Sequence, residues 1–195
     1  MPAVERAKLD VLRSVQRTPA QTRILSAALD LFADHGVSGT SLQMIADAIG
    51  VTKAAVYHQF KTKEEIVLAV AEREMAPLEE ALEIAEAQRP RAAARETLLG
   101  YVVDMALERR RWVRALQNDP VMVRLLAEHQ PLAQLMERVY GLIVGDGGPR
   151  QRVRIAMMGA TIGAAVIHPL VADLDDKTLR RELLDAARRL FALPG

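Results

Sequence analysis

The chain is predicted to be an all-α protein, on three observations. Apolar residues recur at helical spacing over most of its 195 residues, alternating apolar and polar runs are scarce, and aromatic residues make up only 4% of the sequence. A helix buries a stripe of side chains with a period of about 3.6 residues, whereas a half-buried strand buries every second side chain. No sheet is therefore expected, and a hydrophobic content of 50% is sufficient for a sizeable helical core.

The first two helices are predicted from their apolar faces and their ends. The first helix covers residues 20–35 and precedes Gly36, which can take the left-handed conformation that ends a helix. The second helix begins at Thr40 or Ser41, and Gly50 ends it.

Two further helices follow closely. Thr52 can cap a short third helix that runs to residue 57 or 58. The sequence Thr62-Lys63-Glu64-Glu65 is typical of a capping box and predicts the start of a fourth helix, which should end near Met75 because Pro77 follows. Later proline and glycine residues predict about five more helices, the last two over residues 149–168 and 176–193.

Several classes of protein are disfavoured by what the sequence lacks. There is no cysteine, no glycine-rich phosphate loop and no GxSxG sequence, and the four histidines do not have metal-ligand spacing. We therefore predict neither an enzyme nor a cofactor-binding or metal-binding protein.

A membrane location is also not expected. The N-terminal residues are charged and do not resemble a secretory signal. Residues 155–172 contain no Asp, Glu, Lys or Arg. They include two glycines, His168 and Pro169 and are mostly alanine-sized, which favours a buried helix over a membrane span. The expected location is the cytoplasm.

The segment TSLQMIADAIGVTKAAVYHQF carries the most informative pattern, two helices joined by a glycine turn. Ala46 is small where two helices must cross closely, Gly50 can take positive φ at the turn, and Val56 is apolar on the inward face of the second helix. This pattern predicts a helix-turn-helix. Such a motif places the outer face of its second helix in a DNA major groove about 12 Å wide.

The longer run TRILSAALDLFADHGVSGTSLQMIADAIGVTKAAVYHQFKTKEE resembles the N-terminal signature of the tetracycline-repressor (TetR) family over about a quarter of the chain. The resemblance implies an N-terminal extension over residues 1–19, a DNA-binding domain over residues 20–63 and a helical ligand-binding and dimerisation domain over residues 64–195. It also implies double-stranded operator DNA, expected to be palindromic, as a partner.

The resemblance assigns DNA-binding roles to residues of the second, third and fourth helices. Lys53 is the strongest candidate for reading a base, because a lysine can donate to guanine O6 or N7. Gln43 is either a base contact or the last residue of a capping box that begins at Thr40, and the two interpretations are equally supported. The remaining candidates are expected near phosphate or at the start of the recognition helix: Thr40, Ser41, Thr52, Ala54, Tyr57, His58, Gln59 and Lys63.

Each of these roles has an alternative. Tyr57 is otherwise an aromatic side chain at the edge of the core, and Lys53 and Lys63 are otherwise ordinary solvated lysines. The basic residues that precede the first helix either reach a minor groove or belong to a disordered or helical extension; they are Arg6, Lys8, Arg13 and Arg17.

The C-terminal domain is expected to form a homodimer and to bind an unidentified small-molecule effector. The final two helices form the expected interface through Gly159, Gly163, Leu183, Ala187 and Leu190, with packing inside one chain as the alternative. The candidate effector-binding residues are Tyr101, Met105, Trp112, Met122, Met136 and Met158, each of which is otherwise a core residue.

The sequence thus predicts a sequence-specific transcriptional regulator, expected to be a repressor that a small-molecule effector releases from its operator. The alternative is a helical ligand-sensing or interaction protein without sequence-specific DNA binding. Alanine at positions 54 and 55 keeps this alternative open, because it offers little polar contact to bases.

Overall fold

The computed structural model describes residues 17–145 and 148–190, and every regular element in these residues is helical, as predicted. The elements are ten α-helices and one short 3-10 helix over Pro169–Val171. The α-helices are α1 (Pro19–Gly39), α2 (Leu42–Ile49), α3 (Lys53–Gln59), α4 (Lys63–Glu86), α5 (Arg91–Glu108), α6 (Arg110–Asn118), α7 (Pro120–Glu128), α8 (Gln130–Ile143), α9 (Pro149–Val166) and α10 (Asp176–Leu190).

Helix α1 begins at a capping box and ends in a kinked turn. The Thr18 hydroxyl accepts a hydrogen bond from the Gln21 amide, and the Gln21 side chain accepts one from the Thr18 amide. Gly36 has the expected positive φ of 71°, but its ψ of 168° is extended rather than left-handed. The chain therefore changes direction at Gly36 and adds one further turn before Thr40, beyond the predicted end at residue 35.

Helix α4 is longer than the sequence predicted. It continues through Pro77 to Glu86, so the predicted end near Met75 is wrong. A proline inside a helix removes one backbone hydrogen bond. The flanking residues Met75 and Leu78 are both buried, at 8% and 1% exposure, and burial of apolar side chains on either side of the proline offsets that loss.

The described residues form two compact units. Unit one contains the described residues up to Ala76 together with Arg114–Ala133, and unit two contains Pro77–Val113 together with the described residues from Gln134 onward. The chain therefore passes from one unit to the other three times, within α4, α6 and α8. Helix α7 belongs to the same unit as the predicted helix-turn-helix, whereas the predicted domain boundary at residue 63 stays a prediction.

Each unit has its own buried core. The largest fully buried side chains of unit one include Leu25, Phe32, Ile45, Ile66 and Met122. Those of unit two include Leu82, Leu98, Leu99, Leu135 and Ile143. Among the described residues, no helix is both long enough and apolar enough to cross a membrane.

We predict that Gly36→Ala destabilises the protein more than Gly50→Ala, which is the matched control. Both glycines have positive φ, but Gly36 lies in a backbone region open essentially to glycine alone. A Cβ at Gly36 would also lie 2.8 Å from Oδ2 of Asp119, whereas a Cβ at Gly50 would meet nothing within 4 Å. We expect Gly50→Ala to lower the free energy of unfolding by about 1 kcal/mol and Gly36→Ala by about 2–3 kcal/mol. Denaturant titration measures both free energies. Equal losses would show that neither the Asp119 carboxylate nor the backbone conformation at Gly36 excludes a side chain there.

Candidate nucleic-acid interface

Helices α2 and α3 form the predicted helix-turn-helix. Gly50 is left-handed, with φ 68° and ψ 38°, and the next amide, of Val51, donates to the carbonyl of Ala46 at 3.0 Å. The Thr52 hydroxyl caps α3 by accepting from the Ala55 amide at 3.2 Å, as predicted. Ala46 and Val56 are both fully buried, so their side chains hold the two helices together and leave the opposite face of α3 to solvent.

The predicted contact residues of α3 lie on that solvent face. Tyr57 is 52% exposed, which disfavours the interpretation of its ring as a core-edge aromatic. Within the described part of the chain, no hydrogen bond or ion pair restrains the exposed ammonium of Lys53. The other exposed candidates are Thr52, Ala54 and His58, and Gln59 is half-buried.

Thr40 does not cap α2. It is buried, with 2% exposure, and its hydroxyl donates to the Gly36 carbonyl at 2.8 Å. Ser41 caps α2 instead, accepting from the Met44 amide at 3.2 Å. Of the two interpretations of Gln43, the capping box with Thr40 is therefore wrong, because the chain enters α2 one residue later.

Gln43 is exposed and has a different partner. Its side-chain amide donates to Oδ1 of Asp47 at 2.7 Å, one turn further along α2. This contact leaves the side chain on the surface of α2, and a role in base contact stays a prediction.

Lys63 has a structural role that the sequence did not reveal. Its ammonium donates to the carbonyls of Val37 and Thr40, at 2.5 and 3.0 Å, and the side chain is half-buried. These bonds tie the start of α4 to the last turn of α1. A lysine ammonium has three donors, so one remains for the predicted phosphate contact.

Two basic residues that were not among the sequence candidates also lie at this motif. The Lys61 ammonium lies 4.9 Å from the centre of the Tyr57 ring and donates to the Tyr57 carbonyl at 3.2 Å. Arg23 donates to the carbonyl of Ile49 at the end of α2, at 2.9 Å. Lys61 lies two residues beyond the end of α3, so this cation–π contact depends on the turn after the helix and no helical spacing signals it in advance.

The basic residues before α1 divide into two groups. The Arg17 guanidinium donates to the Glu72 carboxylate at 2.6 Å, and both side chains are 16% exposed. Arg17 is thus paired within unit one, which disfavours its place in an arm that reaches DNA. Arg6, Lys8 and Arg13 lie outside the described residues.

The predicted effector residues do not come together around one cavity. A cavity of about 530 Å³ in unit two is lined by Tyr101 but by none of the other five among the described residues. Apolar side chains such as Ile84 and Leu184 and two ion pairs, Arg180 with Asp104 and Arg188 with Glu96, complete much of its wall. Burial raises the pKa of the Tyr101 phenol, so this group is a neutral hydrogen-bonding group at physiological pH.

The other five predicted effector residues lie in the core or at its edge. Trp112, Met122 and Met158 are buried, Met105 and Met136 are half-buried, and Met122 belongs to unit one.

The predicted dimer residues lie on α9 and α10. Gly163 and Leu183 are half-buried, Ala187 is buried and Leu190 is 47% exposed, while Gly159 lies one turn before Gly163. Two apolar residues of α9 outside this predicted set are also exposed, Val153 at 59% and Met157 at 40%. Their spacing of four residues places them on one face of α9.

The fold and the exposed face of α3 define the class of protein, a helical protein with a helix-turn-helix of the kind that enters a DNA major groove. Residues 24–70 match the tetR family of bacterial regulatory proteins. Residues 24–70 thus carry the N-terminal domain of this family, which confirms the resemblance inferred from the sequence.

Individual relatives agree with this assignment. The HTH-type transcriptional regulator AcrR of Shigella flexneri is 35% identical over 51% of this chain and 48% of AcrR. The HTH-type transcriptional repressor AcnR of Corynebacterium diphtheriae is 27% identical over 67% of this chain and 63% of AcnR. The chain thus matches less than two thirds of the length of either relative.

Solved structures resemble the chain over most of its length. The ketosteroid transcriptional regulator KstR2 of Mycobacterium tuberculosis has a TM-score of 0.68 at 17% identity, and the match covers 92% of this chain and 97% of KstR2. SmeT in complex with triclosan has a TM-score of 0.60 at 24% identity, over 88% of this chain and 91% of SmeT. At these identities the likeness concerns the fold alone.

We predict that Lys63→Met lowers the stability of the folded protein, with Lys53→Met as the matched control. The first substitution removes two charge-assisted hydrogen bonds and should lower the free energy of unfolding by about 1.5–3 kcal/mol. The second removes an exposed lysine and should change it by less than about 0.5 kcal/mol. Denaturant unfolding measures both. If the two variants are equally stable, the contacts of Lys63 with Val37 and Thr40 contribute nothing to folding.

Proposed function

We propose that the protein is a sequence-specific DNA-binding transcriptional repressor that a small molecule releases from its operator. The observation that carries the proposal is the exposed face of α3, held outward by the buried pair Ala46 and Val56. Such a helix can enter a major groove and present its side chains to base edges.

The side chains on this face suit the two kinds of contact that an operator requires. Lys53, in the first turn of α3, has an unrestrained ammonium that can donate to guanine. The Tyr57 phenol, with Lys61 beside its ring, can donate to a phosphate oxygen. One contact reads sequence and the other contributes affinity for any duplex.

The alternative function, ligand sensing without DNA reading, receives less support. Ala54 and Ala55 are exposed and carry no polar group, but an alanine can still contact the methyl group of thymine. Membership of a family of DNA-binding regulators favours the repressor over the alternative.

We place the effector in the cavity of about 530 Å³ in unit two. This volume lies within the usual range for small-molecule sites, and apolar side chains and the Tyr101 phenol suit an amphipathic ligand. The solved complex of SmeT with triclosan, a protein with the same fold, supports a small-molecule ligand in this chain too. This location replaces the methionine-lined pocket expected from the sequence.

We also propose that the protein is a homodimer that forms through α9 and α10, binds a palindromic site and acts in the cytoplasm. Exposed apolar residues on both helices support the interface. A two-fold dimer would present two copies of α3 to successive major grooves of a palindrome.

We predict that Lys53→Ala changes which sequence the protein prefers. Selection of bound duplexes from a random DNA pool should recover one palindromic sequence with the natural protein. The variant should bind that sequence with a loss of about 1–3 kcal/mol and bind scrambled duplex almost as before, because a base-edge donor is lost. Failure of the natural protein to enrich any sequence would contradict the proposed function. Equal weakening on both duplexes would remove Lys53 from base reading.

We predict that Val153→Asp converts the dimer to a monomer, whereas Ile84→Asp does not. Both side chains are more than half exposed, at 59% and 57%, so neither substitution should unfold the chain. Only Val153 lies on α9, where an aspartate would become a buried unpaired charge in the proposed interface. Sedimentation measures the oligomeric state, and a Val153→Asp dimer would place the interface elsewhere.

A further inference from the structure

The carboxylate of Asp119 links two distant parts of unit one. Asp119 directly precedes α7 and is 5% exposed. One oxygen, Oδ1, caps α7 by accepting from the amides of Val121 and Met122, at 2.8 and 3.3 Å. The other oxygen, Oδ2, accepts from the amide of Val37, which lies 82 residues earlier in the chain.

The amide of Val37 belongs to the turn that leads into the helix-turn-helix. This turn, residues 36–40, follows the main body of α1 and ends directly before Ser41, the cap of α2. Asp119 holds the amide side of the turn, and Lys63 holds the carbonyls of Val37 and Thr40. An anion and a cation therefore bind the same short stretch of backbone from its donor and acceptor sides.

The local chemistry fits a permanent charge at Asp119. Burial by itself raises the pKa of the carboxyl group, but hydrogen bonds from the amides of Val37, Val121, Met122 and Ser38 outweigh it and lower the pKa below its ordinary value of 3.8. The carboxylate thus stays ionised at physiological pH. Gly36 allows the carboxylate to approach the turn closely, because a Cβ at this position would lie 2.8 Å from Oδ2 of Asp119.

The opposite end of α7 also lies against the elements that surround the motif. His129 directly follows α7, and its Nε2 lies 3.4 Å from the Glu72 carboxylate in α4. The same carboxylate accepts from Arg17 at the start of α1. Helix α7 is thus connected to α1 near both ends of α1, by Asp119 directly and by His129 through Glu72.

We propose that Asp119 is a positioning residue for DNA binding, which sets the orientation of α2 and α3 on α1 by holding the turn of residues 36–40. This inference rests on the proposed function. The chain enters α7 from unit two through α6, and Asp119 is the residue that joins α6 to α7. No DNA contact by Asp119 itself is required.

Two substitutions separate this positioning role from ordinary helix capping. Asp119→Ser keeps a good cap for α7 but has no second oxygen to reach Val37. Asp119→Asn keeps the shape and one accepting oxygen, but one side of its amide presents N–H donors, so it cannot accept from both groups at once. The matched control is Asp175→Ser in unit two, where Asp175 accepts from the Thr178 amide at the start of α10, at 2.9 Å.

The full-length variants are compared with the natural protein on two duplexes, the sequence recovered from the random pool and a scrambled version of it. We expect both Asp119 variants to bind the recovered duplex roughly tenfold more weakly, a change of about 1.4 kcal/mol, with a smaller change on scrambled DNA. Asp175→Ser should bind both duplexes as the natural protein does. Circular dichroism establishes that each variant is folded at the temperature of the titration.

Amide hydrogen exchange provides a readout that does not depend on DNA. In the Asp119 variants the amides of Val37 and Ser38 and those of α2 should exchange faster, whereas the buried amides of α1 around Leu25 and Ala28 should not. Unchanged exchange in the turn, or unchanged affinity for the recovered duplex in a folded variant, would overturn the positioning role. If the natural protein binds neither duplex, the proposed function fails, and the exchange experiment still decides whether Asp119 orders the turn.

Discussion

The arrangement of the helix-turn-helix depends on how one short turn is held. The amide of Val37 donates to the Asp119 carboxylate. The carbonyls of Val37 and Thr40 accept from the Lys63 ammonium, and the carbonyl of Gly36 accepts from the Thr40 hydroxyl. Buried backbone groups must be paired, and pairing them with charged side chains gives stronger bonds than neutral partners do. Gly36 makes the approach possible, since any side chain there would collide with the carboxylate. The direction in which α2 leaves α1 is a consequence of these bonds.

Asp119 and Lys63 hold the turn, so the exposed side chains of α3 are not needed for that purpose and can contact a partner. Thr40 and Lys63 act inside the fold, whereas Lys53, Tyr57 and His58 lie exposed on the third helix. The separation has a physical basis: a side chain that already bonds the backbone cannot read a base without breaking the turn. Lys63 can both hold the turn and contact a phosphate, because its ammonium has a third donor beyond the two that bond the backbone.

Several arginines of unit two form ion pairs with carboxylates. Opposite charges therefore cancel within unit two, and the net charge of +1 does not describe the charge at the helix-turn-helix. Arg180 pairs with Asp104, Arg188 with Glu96 and Arg138 with Glu86. Such exposed pairs contribute little to stability. Two of them, however, line the cavity and add charged groups to its apolar wall. An effector that competes for one partner of such a pair would change how α5 and α10 are connected, since Asp104 and Glu96 lie on α5 and both arginines lie on α10.

Local signals in the sequence were enough to establish the all-α class, the two capped helices around Gly50 and the family, because helical periodicity, capping residues and positive-φ glycines need no distant partner. They did not establish the end of α4, since the break expected at Pro77 is overridden by the buried side chains that flank it. Nor did they reveal the roles of Thr40 and Lys63, whose partners are backbone carbonyls rather than residues with a recognisable pattern. Tertiary structure alone brings Asp119 to Val37, because a contact between residues 82 positions apart leaves no trace in the spacing of either segment.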